Sequence, residues 1–119
     1  MPDSPKAVSG GRSEVAPVVP WDKLERGSTV VCIPVYGAYP LFAQCLRSVV
    51  ETTPREVRVL VADDASEDPS IARLIEEVNE TWPDRSPVAY VRQPRNAGFV
   101  HNVNEALRLV APADAIVLN

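Results

Sequence analysis

The sequence predicts an α/β fold, with a Rossmann-like parallel sheet flanked by helices in the order β-α-β-α-β-α-β. Two apolar runs, 30–35 and 57–62, lack the alternation of half-exposed strands, which is typical of strands covered on both faces. Two shorter apolar runs follow at 88–91 and 115–118, and apolar residues at helical spacing fill the three intervals between runs. Right-handed crossovers would place all four strand ends at one edge of the sheet.

Length and composition are those of one ordinary globular domain. The chain has 119 residues, 45% hydrophobic and 24% charged, with a net charge of -4. It has two Lys and no basic stripe, which disfavours nucleic-acid binding, and no apolar run approaches the ~18 residues of a membrane span. No secretion signal opens the chain, so we expect a cytoplasmic protein in which Cys32 and Cys45 are buried reduced thiols. One His and two Cys make no zinc pattern.

The first predicted unit follows a proline-rich leader. Residues 1–28 combine prolines with a Gly/Ser cluster, which predicts a flexible N-terminal tail before a domain at 29–119. Pro34 lacks an N–H, so we expect strand pairing to fail near it. Pro40 suits the first turn of a helix, which should run to about Glu51. Its expected apolar residues are Leu41, Phe42, Cys45, Leu46 and Val49.

The second predicted strand ends in the adjacent carboxylates Asp63 and Asp64. Ligands of open α/β sheets bind at this carboxyl edge, so the pair is a candidate binding site. The alternative is that both residues only cap the next helix and solvate the turn. Asp68 and Pro69 predict the N-cap and first residue of that helix. Its expected apolar stripe is Ile71, Leu74, Ile75, Val78 and Trp82, with Glu76, Glu77 and Glu80 facing water.

A loop rich in turn formers, 92–98, follows the third predicted strand. Asn96 and Gly98 stand at a helix start, where backbone N–H groups could bind an anion and Gly allows close approach. The alternative is a tight turn into the helix. We expect His101 on the surface of this third helix. Its expected apolar face is Val103, Ala106, Leu107 and Val110.

Four pieces in this order resemble the N-terminal part of family 2 glycosyltransferases, inverting and rhamnosyltransferase-like enzymes that use nucleotide-diphospho-sugar donors. The resemblance covers about 29–119, and Gly37 departs from the Asn that is commoner after the Tyr. It implies the nucleotide-binding half of a glycosyltransferase A fold, with sheet order 3-2-1-4. The pieces are Ile33-Pro34-Val35-Tyr36 with Cys45-Leu46-Arg47-Ser48-Val49, Asp63-Asp64-Ala65-Ser66, Arg95-Asn96-Ala97-Gly98-Phe99 with Asn104, and Val117-Leu118-Asn119.

The resemblance also implies roles at the strand ends. The Pro34–Tyr36 segment would form a flat apolar wall for the base, and Asp64 would accept hydrogen bonds from base or ribose. Asp63 would support the turn, and the Asn96–Gly98 segment would offer backbone N–H groups to the phosphates or the base. The implied nucleotide-sugar-binding residues are Pro34, Val35, Tyr36, Asp63, Asp64, Asn96 and Gly98.

In the resembled family a carboxylate after the fourth strand holds a divalent cation, Mg²⁺ or Mn²⁺, and a general base lies further along. Both positions lie past Asn119, so we expect no catalytic and no metal-binding residue in this chain. The implied partners are a nucleotide-diphospho-sugar and a sugar or glycoconjugate acceptor. We also expect self-association, because a fourth strand that ends the sheet leaves unpaired backbone groups at its edge.

Other classes of function are compatible with parts of this pattern. A non-catalytic nucleotide-binding or interaction module could keep the same fold. A receiver-like signalling domain also has a strand ending in Asp-Asp, but it needs a later Asp and Lys, and here no Lys follows Lys23. A dinucleotide-binding domain is disfavoured, because no Gly-x-Gly-x-x-Gly follows the first strand.

Overall fold

The computed structural model describes residues 19–22 and 24–119, which form a four-stranded parallel sheet with helices on both faces. The strand order is β3-β2-β1-β4, which confirms the predicted α/β class and the order 3-2-1-4. The elements are β1 (Thr29–Val35), α1 (Tyr39–Thr52), β2 (Arg58–Asp63), α2 (Ser70–Thr81), β3 (Ala89–Arg92), α3 (Phe99–Val110) and β4 (Asp114–Val117).

The two central strands serve two cores, one on each face of the sheet. Alternate residues of β1 and β2 point to opposite faces, so both strands are covered on both sides. One core lies under α1 and α2 and contains the fully buried Leu46 and Leu74. The other lies under α3 and contains Leu60 and Val110. Burial of each such side chain stabilises the fold by about 1.5–3 kcal/mol. The two cores therefore hold the strands, and the loops at their ends, in place.

Strand pairing stops near Pro34 on one side only. β1 pairs with β2 as far as Val35, but with β4 only as far as Cys32. Successive residues of a strand direct their N–H groups to opposite neighbours. The Cys32 carbonyl accepts from the Leu118 N–H on the β4 side at 2.9 Å, so the nitrogen of Pro34 also faces β4, beyond the paired residues. The expected failure of pairing is therefore right for β4 and wrong for β2.

Two helices are rotated from the faces that their sequences predicted. Leu41 is 71% exposed, and α1 instead packs through a face centred on Phe42 and Leu46. Because each residue turns the helix by about 100°, Leu41 falls on the far side of that face. In α3, Leu107 is 39% exposed. The buried face of this helix consists of Asn102, Ala106 and Val110. Helix α2 buries Ile71, Leu74, Ile75 and Val78 as expected and exposes its three Glu residues, whereas Trp82 follows the end of the helix and is half-buried.

The division into a tail at 1–28 and a domain at 29–119 stays a prediction for residues 1–18 and 23, which lie outside the described residues. The described part of the leader differs from a free tail. Leu24 is buried in the core under α3, and the Trp21 Nε1–H donates to the Pro87 carbonyl at 2.7 Å. The Trp21 ring also lies 5.9 Å from the Arg58 guanidinium, a cation–π distance.

A buried arginine ties the opposite edge of the sheet together. Arg85 donates to the carbonyls of Val50 at 3.3 Å, Thr53 at 3.2 Å and Val57 at 2.9 Å. Two of these acceptors belong to the end of α1, where helical carbonyls lack intrahelical partners. Burial lowers the pKa of the Arg85 guanidinium. Arg85 therefore fixes the passage from α1 into β2.

Candidate nucleotide site at the strand ends

The carboxyl ends of the strands lie at one edge of the sheet, and the loops that follow them are joined there by side-chain hydrogen bonds. Gly37 after β1 is bonded to Ser66 after β2. The carboxylate of Asp64, also after β2, is bonded to Ala97 and Gly98 before α3. Three loops that are separate in sequence therefore form one connected surface.

The end of β1 presents the expected apolar wall only in part. Tyr36 is 60% exposed and Pro34 is half-buried, whereas the Val35 side chain is buried in the core under α1. These residues, with Leu118, help to line a cavity of about 230 Å³ between the ends of β1 and β4. The surface open to a flat ring is thus that of Tyr36 and Pro34.

Asp63 is fully buried and holds the turn after β2. Its Oδ1 accepts from the Ser66 N–H at 2.9 Å, and its Oδ2 accepts from the Tyr90 hydroxyl at 2.5 Å. Carboxylates in such positions need hydrogen bonds to offset their loss of hydration. The turn also holds Ala65 at a φ of 65°, a left-handed conformation that costs a residue with a Cβ about 1–2 kcal/mol.

Asp64 clamps the loop before α3. Its Oδ1 accepts from the Ala97 N–H at 2.9 Å, and its Oδ2 accepts from the Gly98 N–H at 2.9 Å. The side chain is only 4% exposed. Two N–H groups that we expected to face a phosphate or base are therefore bonded to Asp64 in this structure.

Gly98 has a φ of 99°, which L residues with a side chain rarely adopt. A Cβ built there would meet nothing within 4 Å, so the backbone conformation and not the space selects Gly. Asn96 is exposed, and its Oδ1 accepts from the Gly98 N–H at 3.2 Å. These two residues form the tight turn into α3, and Asn104 lies exposed further along the helix.

Three residues behind the site were not predicted from the sequence. Tyr90 bonds to Asp63 as described above. Asn102 is 2% exposed, and its Nδ2 donates to the Ala62 carbonyl at 2.8 Å while its Oδ1 accepts from the Gln93 Nε2 at 3.3 Å. The position of Asn102, at helical spacing with Ala106, could have indicated that its polar side chain faces the core. The apolar run of the third strand gave no indication that the Tyr90 hydroxyl bonds to Asp63.

Arg92 brings positive charge to the same edge. Its Nη2 donates to the Ser66 carbonyl at 3.0 Å. Its positive charge is also close enough to the Tyr90 hydroxyl to affect the pKa of Tyr90. Burial, followed by the hydrogen bond to Asp63 and the charge of Asp63, raises the pKa of Tyr90, and the positive charge of Arg92 opposes this only in part. Tyr90 is therefore a neutral donor throughout the ordinary pH range.

The described residues do not fit a metal ion by themselves. Among residues 19–22 and 24–119, no three His, Cys, Asp or Glu side chains come together as a ligand set. Asp63 and Asp64 direct their oxygens at protein donors instead.

Solved structures give the class of this fold, which is the glycosyltransferase A fold. A mannosyltransferase from Pyrobaculum calidifontis, solved with GDP-Man and Mn²⁺, superposes with a TM-score of 0.60 at 29% identity over 83% of this chain. GalNAc-T7, solved with UDP, GalNAc and Mn²⁺, superposes with a TM-score of 0.53 at 21% identity over 71% of this chain. The chain spans 28% of the first of these proteins and 16% of the second.

The model of glycosyl transferase family 2 matches residues 30–118, so the chain belongs to this family. Among curated proteins, no sequence matches the chain at a significant level. Within the part of the chain that the structure describes, no helix has the length and apolarity needed to cross a bilayer.

Proposed function

We propose that the chain is the donor-binding half of a glycosyltransferase, which transfers a sugar from a nucleotide-diphospho-sugar to a hydroxyl acceptor during synthesis of a glycan or glycoconjugate. The observation that carries the proposal is the strand edge itself. Asp64 accepts directly from the N–H groups of Ala97 and Gly98, which lie 33 and 34 residues further along the chain. Edges of this kind are where open α/β sheets bind ligands.

In the proposed complex the base lies against the exposed ring of Tyr36 and beside Pro34. An aromatic face of this kind supplies a large contact area at low entropic cost. Asp64 then orients the base or ribose by accepting hydrogen bonds from it with the lone pairs that Ala97 and Gly98 do not occupy. An ionised carboxylate has about four lone-pair sites, and Ala97 and Gly98 occupy two of them.

Asp63 and Asn96 shape the site without carrying the reaction. Asp63 holds the turn that presents Asp64, and Asn96 and Gly98 fix the loop that faces the donor phosphates. We propose that the donor binds together with a divalent cation, since the two solved structures contain Mn²⁺. Such a cation neutralises a diphosphate and promotes its departure when bound. No described residue is assigned to holding it.

Two further parts of the proposal concern the chain as a whole. We place the protein in the cytoplasm, because Cys32 and Cys45 are free thiols. We also infer that residues 1–119 self-associate through β4, which pairs only with β1 among the described strands. The acceptor is a sugar or a glycoconjugate hydroxyl.

Calorimetry with uridine, guanosine and thymidine diphosphates, each with and without Mn²⁺, tests the proposed binding. We expect one of the three to bind more tightly than the others and more tightly than its nucleoside. The reason is that both the base wall and the phosphate-facing loop contribute. Absence of binding by all three would contradict the proposal. Binding without donor consumption by a longer protein containing the chain would favour a non-catalytic module instead.

A further inference from the structure

A chain of hydrogen bonds crosses the sheet beneath the candidate site. It begins at the Tyr90 hydroxyl on β3, which donates to Asp63 Oδ2 at 2.5 Å. It continues from Asp63 Oδ1, which accepts from the Ser66 N–H at 2.9 Å, and ends where Ser66 Oγ accepts from the Gly37 N–H at 2.7 Å. These four residues, called here the Tyr90 relay, connect the ends of β3, β2 and β1.

The first bond of the relay is strong by its chemistry. Asp63 is 0% exposed, so its carboxylate depends on protein donors for its hydrogen bonds. A hydroxyl bonded to a carboxylate at 2.5 Å has the length of a charge-assisted hydrogen bond, about twice as strong as a neutral one. Burial and the contact with Asp63 also raise the pKa of Tyr90, so its hydroxyl is a donor in the ordinary pH range.

The last bond of the relay joins two turns whose backbones are strained. Ala65 next to Ser66 has a φ of 65°, and Ala38 next to Gly37 has a φ of 50°. Both φ values are left-handed conformations that residues with a Cβ rarely adopt. Such conformations persist only where the surroundings hold them in place. The bond from the Gly37 N–H to Ser66 Oγ lies between the two strained residues and links their turns.

We propose that Tyr90 is a positioning residue for the nucleotide site. Through Asp63 and Ser66 it fixes the turn at Tyr36–Gly37, which carries the wall for the base, while Tyr90 itself makes no contact with the nucleotide. This inference rests on the proposed function of the strand edge. It assigns a role to a residue outside all four family motifs.

Amide hydrogen exchange followed by NMR tests the relay without any ligand. In Tyr90→Phe, which keeps the ring, we expect the Gly37 amide to exchange about twofold to tenfold faster, the factor that loss of one hydrogen bond gives. The amides of Cys32 and Val61 in the central ladder should keep their rates. Tyr39→Phe is the matched control, because Tyr39 begins α1 and takes no part in the relay.

Ser66→Ala removes the acceptor of the Gly37 N–H directly, and it serves as the second variant. We expect it to accelerate Gly37 exchange by itself, and we expect Tyr90→Phe to add nothing in its background. An unchanged Gly37 rate in Tyr90→Phe would overturn the relay. Equal acceleration of Gly37, Cys32 and Val61 would also overturn it, because that result describes a residue that only stabilises the fold.

An affinity measurement tests whether the relay acts on the candidate nucleotide site. With the nucleoside diphosphate that the wild type prefers, Tyr90→Phe should weaken affinity about fivefold to tenfold, and Tyr39→Phe should not. Unchanged affinity beside an accelerated Gly37 amide would overturn the positioning role. If the wild type binds no nucleoside diphosphate, the proposed function fails, and the exchange data alone still decide whether the relay exists.

Discussion

At the scale of single residues, the carboxylates of the strand edge accept hydrogen bonds from other parts of the protein. Asp63 supports a strained turn and Asp64 clamps a loop, so both are largely satisfied before any ligand arrives. Such preorganisation lowers the entropy that binding must offset. It also means that substitutions at this edge act on loop geometry as well as on the proposed contacts with a nucleotide.

Strain at Ala65 leads to a prediction about stability. Gly adopts a φ of 65° without the penalty that a Cβ brings, so Ala65→Gly should raise the free energy of unfolding by about 0.5–1 kcal/mol. Urea denaturation would measure the change. Ala72→Gly, inside α2, is the matched control and should lower stability by about 0.5–1 kcal/mol. Loss of stability in Ala65→Gly would show that the turn is not strained.

The buried thiol of Cys32 leads to a prediction about reactivity and pH. Burial raises its pKa from 9.0 to about 11, so the reactive thiolate is scarce near neutral pH. We expect Cys32 to react with a thiol reagent at least about 10-fold more slowly than the half-buried Cys45, because the Cys32 thiol is buried and stays protonated near neutral pH. Equal labelling rates in the native protein would show that β1 is accessible.

The same shift has a defined sign for stability. The thiol releases its proton more readily in the unfolded chain, so its contribution is complete below pH 9 and is lost as the pH rises towards about 11. Cys32→Ala should flatten the fall in the midpoint of thermal unfolding over that window. An unaltered alkaline profile would contradict the raised pKa.

At the scale of elements, the sequence predicted most of the architecture. Apolar runs identified the four strands. The reason is clearest for the central strands β1 and β2, which are covered on both faces and need apolar residues at nearly every position. The same patterns did not give the helix faces fully. Leu41 and Leu107 fit an apolar stripe but lie outside the packed face, because the sheet contacts only part of each helix.

The contacts of the site were beyond the reach of the sequence for a related reason. Asp64 and Gly98 are separated by 34 residues, and only the docking of α3 on the sheet brings them together. Tyr90 and Asp63 belong to neighbouring strands whose register fixes their contact. Residue types at strand ends predicted which loops meet at the edge of the sheet, whereas strand register and helix docking determine which groups bond.

Arg85 leads to a prediction at the level of elements. Arg85→Ala leaves three carbonyls at the passage from α1 to β2 without their donor, and each unsatisfied buried group costs about 1–3 kcal/mol. We expect the free energy of unfolding to fall by about 2–4 kcal/mol. Arg73→Ala, at an exposed position of α2, is the control and should change it by less than about 0.5 kcal/mol. Similar effects of both variants would contradict the role of Arg85.

At the scale of the whole molecule, the described sheet has one apolar edge. β4 pairs only with β1 among the described strands, and Ile116 and Val117 are 51% and 39% exposed. Edge strands with exposed apolar side chains promote pairing between chains. The site and this edge are neighbours, since the cavity at the end of β1 also touches Leu118 and Asn119.

We therefore expect residues 1–119 to self-associate in a concentration-dependent manner. Size-exclusion chromatography with light scattering would measure the mass of the species in solution. Ile116→Lys places a charge on the edge and should shift the protein towards monomer. Val100→Lys, at an exposed position of α3, is the control and should leave association unchanged. A monomeric wild type at high concentration would refute the role of the edge.

Calorimetry on Asp64→Ala tests most directly whether the strand edge binds a nucleoside diphosphate. Asp68→Ala is the matched control, because it removes a carboxylate that accepts from the Ser70 N–H at 2.9 Å at the start of α2, outside the candidate site. We predict that Asp64→Ala weakens affinity for the preferred nucleotide at least about tenfold, because it removes one hydrogen bond to a charged group. Asp68→Ala should leave that affinity unchanged. Equal affinities of wild type, Asp64→Ala and Asp68→Ala would contradict the account.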